Sequence, residues 1–120
     1  MPSGTASAEI VHVVRLSLVL RASPRSAQDL LEALRFLLRT TRLEPGCLNC
    51  AVWSEPDWII HYEEEWATED DIRRRIRSDR FTSLLSVVES AQELPRVQFD
   101  FVTATRGLDY VAEVRQDSLS

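Results

Sequence analysis

Two imidazoles, a run of three carboxylates and an asparagine–tryptophan pair are the side chains of this sequence best suited to chemistry. His12 and His61 are its only histidines, and imidazole is the natural general base near neutral pH. His61 lies on an alternating segment, Trp58 to Trp66, and shares a face with Ile59, Glu63 and Glu65, so a paired His61 and Glu63 is feasible. His12 falls on the more apolar face of an earlier strand, where a buried, hydrogen-bonded histidine is the ordinary role. Glu63, Glu64 and Glu65 could destabilise one another's charge and supply a base, or pair with arginine across strands, Arg15 being the evident partner. Asn49 and Trp53 stand four apart on a predicted strand, on one face and about 13 Å from each other along it. Such a pair can line a pocket, or it can be an edge-strand asparagine beside a packed tryptophan. Two histidines on separate strands, with no third ligand close in sequence, give no metal site.

The remaining reactive types are limited. Cys47 and Cys50 have a Cys-x-x-Cys spacing, but they lead into Ala51-Val52-Trp53, which reads as strand rather than the mouth of a helix. Strand positions three apart point to opposite faces about 10 Å apart, too far for a disulfide, so two small buried thiols are expected. Every basic residue besides histidine is arginine, which excludes lysine Schiff-base chemistry. Arg73-Arg74-Arg75 and Arg77 follow Glu69, Asp70 and Asp71 on a predicted helix, and this order suits a solvated face aligned with the helix dipole.

At 120 residues and a formal charge of −5, the chain is expected to form one domain with a single core and no nucleic-acid surface. It has no apolar run long enough to cross a bilayer and no basic, apolar leader, so no membrane association and a cytoplasmic location are the expectations. Residues 1–8 and 117–120 read as loose ends around a domain spanning 9–116.

The elements that must position these side chains follow from periodicity. Ile10 to Leu20 alternates with apolar residues on both faces, a strand covered on both sides. Ser23-Pro24-Arg25-Ser26 starts a helix whose stripe is Leu30, Leu31, Leu34, Leu37 and Leu38 and which ends near Arg42. A hairpin follows, Cys47 to Trp53 and Trp58 to Trp66, turning at Glu55-Pro56-Asp57. Thr68 with Asp71 caps a helix that breaks and restarts at Ser78-Asp79-Arg80-Phe81 and ends before Pro95. Val97 to Thr103 forms a fourth strand, and Gly107 turns into a short helix, Leu108 to Arg115.

The order β-α-β-β-α-β is the ferredoxin-like α+β plan with an antiparallel four-stranded sheet and an extra C-terminal helix. Its helices cover one sheet face, so the other is expected to pack against a second copy across a two-fold axis. The run Glu-Pro-Gly-Cys at 44–47, the strand ending Tyr-Glu-Glu-Glu-Trp at 62–66, the acidic helix start and the Ser-Asp-Arg-Phe of 78–81 with Leu84-Leu85 resemble the antibiotic-biosynthesis-monooxygenase family. The resemblance implies a homodimeric α/β barrel and, in its quinone-forming members, a cofactor-free reaction of a small aromatic substrate with dioxygen. It further implies that Asn49 orients a phenolate-like substrate and Trp53 walls the pocket, with His61 as base, in a cleft between helices and sheet. Tyr62, Trp66, Arg80 and Phe81 fall in the matching segments and are the expected substrate-binding side chains. Family members that degrade haem use a helix histidine; here Arg80 stands at that position and no histidine follows His61, which argues against haem. A non-catalytic dimeric ligand-binding domain is the alternative that the residues leave open.

Overall fold

The computed structural model describes residues 13–91, 93–102 and 108–119. His12, the strand start at Ile10 and the turn at Gly107 lie outside them. The elements are β1 (Val13–Arg21), α1 (Ala27–Thr41), β2 (Cys47–Glu55), β3 (Ile59–Trp66), α2 (Glu69–Ile76), α3 (Asp79–Glu89), β4 (Arg96–Val102) and α4 (Leu108–Leu119). The strands form one sheet in the order β2-β3-β1-β4 with every pair antiparallel, the ferredoxin-like plan. α4 runs to Leu119, beyond the expected end at Arg115, because no glycine or proline interrupts Val114 to Leu119.

Strand parity decides which residues meet the core. Val14, Leu16, Leu18 and Leu20 of β1 and Ile60, Tyr62, Glu64 and Trp66 of β3 are buried, most of them beneath Leu30, Leu34 and Leu38 of α1 and Phe81, Leu84 and Val88 of α3. The opposite, outer face is not the uniformly apolar surface that alternation suggests. Its middle rows are polar: Ser17 lies between Glu63 and Gln98, and Arg15 between Glu65 and Asp100. Apolar residues on this face gather at its ends, Val13 with Val102 at one and Val19, Ile59 and Trp53 around His61 at the other.

Local chemistry sets the connections. Thr68 Oγ1 accepts from Asp71 N at 3.1 Å and Ser78 Oγ from Phe81 N at 3.2 Å, so both helix starts are capped as the sequence requires. Gly46 sits at φ +87°, and a Cβ there would lie 2.3 Å from Asp71 Cγ; backbone and space both demand glycine. Arg74 fixes this junction by donating to Asp71 Oδ1 at 2.7 Å and to Pro45 O at 2.9 Å.

The β2–β3 connection is more unusual. Glu55 pairs with Ile59, and in the intervening turn, Pro56–Trp58, both Asp57 (φ 68°) and Trp58 (φ 62°) are left-handed. Two consecutive left-handed residues make a hairpin turn that matches strand twist, and its second position normally takes glycine. A bulky aromatic there strains the backbone by about 1–3 kcal/mol. The Trp58 carbonyl accepts from Ala22 N at 3.0 Å, which ties the turn to the end of β1.

Candidate functional site

His61 lies on the outer face of β3 directly opposite Trp53 of β2, and the two rings stack with centroids 5.0 Å apart and planes 4° from parallel. Its Nε2 approaches Glu55 Oε2 to 3.2 Å, off the axis of a hydrogen bond. The expected partner, Glu63, is instead 3.6 Å from Arg15 Nε. Side chains two apart on one strand diverge, whereas a cross-strand neighbour one row away converges, which is why the carboxylate comes from β2. Beside this row is a cavity of about 390 Å³ lined by His61, Glu55, Val19, Arg21, Leu94 and Arg96 among others. A half-buried imidazole backed by a carboxylate can take a proton from an acidic hydroxyl. Arg21 and Arg96 favour the anion that results, opposed by the Glu55 and Glu93 carboxylates that line the same cavity.

Asn49 shares this face, at the level of Glu65. It lies four residues along the strand from Trp53, and neither of the two lines the cavity. The cleft expected between helices and sheet is therefore not where Asn49, Trp53 and His61 sit: all three are on the side away from the helices. Among the described residues, no group of three His, Cys, Asp or Glu side chains is placed to hold a metal ion.

The expected substrate-binding residues divide from this set. Tyr62 and Trp66 point the other way, into the core, each 1% exposed. Both donate to Glu64, the Tyr62 hydroxyl to Oε2 and Trp66 Nε1 to Oε1 at 2.8 Å. Arg75 completes the cluster with Nη2 at 2.8 Å from Glu64 Oε2, Nε at 3.2 Å from Oε1, and a 3.3 Å bond to Thr41 Oγ1. Arg75 is 2% exposed, so the predicted solvated arginine face holds for Arg73 and Arg74 but not for Arg75. Its guanidinium lies 5.5 Å from the Phe81 ring centroid. Phe81 is itself buried, while Arg80 is exposed and only 4.0 Å from Glu44. Burial pulls the Arg75 pKa down, but the bonds and charge of Glu64 outweigh it and the net movement is upward. Burial first, then the Glu64 charge, raises the Tyr62 phenol.

The two cysteines also depart from expectation. Leu48 is an extra residue in β2, a bulge between Cys47, which pairs with Trp66, and Asn49, which pairs with Glu65. The slip brings Cys47 to the inner side with Cys50, so the two no longer occupy opposite faces. Both thiols are free, Cys50 buried and Cys47 partly so. Burial pushes the Cys50 thiol up to about 12, against a lowering by its bond to the Tyr62 hydroxyl.

With this geometry in place, comparison with known proteins is informative about architecture. No family model matches the chain, and no curated protein matches it in sequence. A conserved protein from Methanosarcina mazei Go1 is 22% identical with a TM-score of 0.68, over 78% of this chain and 94% of that one. A protein from Caulobacter crescentus CB15, named as a candidate antibiotic biosynthesis monooxygenase, is 15% identical with a TM-score of 0.68, over 87% of this chain and 100% of that one. A Bacteroides thetaiotaomicron VPI-5482 protein of unknown function, described as a possible oxidoreductase, is 15% identical with a TM-score of 0.67, over 75% and 97%. The chain has their fold. Identities this low carry architecture and not activity, because function resides in sites placed on a scaffold.

The residues that sequence reasoning missed are Glu55, Arg21 and Arg96 at the cavity and the Glu64–Arg75 pair in the core. Glu64 was legible in part, since its parity with Tyr62 and Trp66 places it inward. Arg75 carries a weaker signal, lying three residues after Ile72 on the helix stripe.

Proposed function

We propose that this protein is a cofactor-independent monooxygenase that oxidises a small quinol or polyphenolic substrate with dioxygen on the outer face of its sheet. The observation that carries this reading is His61, stacked on Trp53 and close to Glu55, at the wall of the 390 Å³ cavity. His61 takes the proton of a phenolic hydroxyl, and Glu55 stabilises the imidazolium that forms. Arg21 and Arg96 favour the phenolate, and Trp53, stacked on His61 outside the cavity lining, holds the imidazole in place. An electron-rich phenolate reacts with dioxygen without a metal, so the protein's part is to favour the anion, orient it and exclude water. For a dihydroxyarene the reaction balances as substrate plus O2 giving hydroxyquinone plus water: one oxygen atom enters the ring and the other leaves as water. Asn49, about 13 Å along the strand from Trp53 and off the cavity, takes no part in this reading.

The same reading includes a homodimer whose outer faces oppose and enclose the cavity. Val19, Ile59 and Trp53, the last 41% exposed, support it. Oxygen uptake with a panel of dihydroxynaphthalenes and anthrones tests the activity. Uptake with at least one compound, lost in His61→Ala and reduced in Trp53→Phe, is the expected result. Uptake in no case, or uptake indifferent to His61, leaves a ligand-binding domain as the better description.

A further inference from the structure

On the helix side of the β2–β3 turn is a second cavity, of about 500 Å³, between that turn and the start of α1. Its floor is apolar, made by Ala27 and Leu31 of α1 and Ile60 of β3, all of them buried. Its rim carries Trp58, half exposed, with Glu55 and Asp57, and among the described residues no arginine or histidine lines it.

Trp58 is the informative residue. It occupies the position of the turn where glycine is preferred, at φ 62°, with its ring half in solvent. Neither the backbone conformation nor core packing accounts for a tryptophan there. A side chain held against backbone preference at the mouth of a cavity marks a site in which the strain serves binding. An aromatic side chain beside the Asp57 carboxylate above an apolar floor is complementary to positive charge on an apolar body.

We propose that this cavity binds an organic cation, an alkyl- or aryl-substituted ammonium, whose charge sits between Trp58 and the Asp57 carboxylate and whose apolar part rests on Leu31 and Pro24. This goes beyond the oxygenase reading and does not depend on it, since the cavity opens on the helix side of the hairpin. The probes are benzyltrimethylammonium and its uncharged carbon isostere, neopentylbenzene, with binding followed by isothermal titration calorimetry. Saturable binding of the cation, with the isostere weaker by about tenfold or more, is expected. Asp57→Asn weakens cation binding several-fold, and Trp58→Gly abolishes it while leaving the melting temperature unchanged or raised, since glycine relieves the turn. Trp58→Phe keeps an aromatic face and retains weaker binding, which decides the matter should the glycine variant fold poorly. No saturable binding, equal binding of the isostere, or full binding by Trp58→Gly would each overturn the proposal.

Discussion

At the residue scale, the chain separates two kinds of polar side chain by the parity of β3. His61 faces outward beside a cavity and stays open to a ligand, while Glu64, three residues on, is sealed beneath the helices with every bond made inside the protein. Removing one partner of such a sealed pair leaves a buried charge uncompensated. Arg75→Met should therefore cost about 3–5 kcal/mol in urea unfolding, and the double variant Arg75→Met with Glu64→Gln should cost clearly less than the sum of the singles. An additive result would mean that the two charges do not sense each other. The alkaline limb of stability depends on the same layer. Cys50 is raised from 9.0 to about 12, so between these values the unfolded chain releases a proton that the folded chain keeps. Stability is then complete below pH 9 and falls as pH rises toward 12, and the raised Tyr62 phenol acts in the same direction above pH 10. Urea midpoints that stay level from pH 8 to 11 would contradict this. Cys50 should also resist alkylation at pH 8 until the protein unfolds.

At the scale of elements, the junction between α1, β2 and α2 is where the chain has least freedom. Gly46 touches Asp71, Asp71 is bound by Arg74, and Arg74 reaches back to Pro45, so one turn and one helix start are a single unit. Gly46→Ala should destabilise by about 1–3 kcal/mol through its left-handed backbone and the clash together. Adding Asp71→Ala should recover only the clash part, which a double-mutant cycle in urea measures. Burial tends to raise the Asp71 carboxyl, but the bonds from Thr68 and the charge of Arg74 prevail and hold it below 3.8. Its contribution is present above that value and disappears as pH falls through the lower, folded value.

At the scale of the molecule, two helices plus a short third cover one sheet face, and the outer face is left to other surfaces. Opposed outer faces would bury the Arg15–Glu63 row along with the apolar ends, so that contact is selective as well as adhesive. Light scattering should return twice 13.7 kDa, and Val19→Glu should return the single mass with its circular dichroism intact. A native chain of single mass at micromolar concentration would remove the enclosing partner from the proposed site.

Element types, their order and the caps of α2 and α3 were determined by the sequence alone, because periodicity, proline, glycine and cap chemistry act within a few residues of themselves; at α1 the expected cap Ser26 makes no side-chain cap bond. Parity even separated Tyr62, Glu64 and Trp66 from His61. The tertiary structure alone decided which side chains meet: Glu55 rather than Glu63 beside His61, Arg75 drawn into the core by Glu64, and both cysteines on one face through the Leu48 bulge. These outcomes depend on cross-strand register and on helix placement over the sheet. Contacts across strands and between elements are fixed by the packing of whole elements, and no local pattern encodes them.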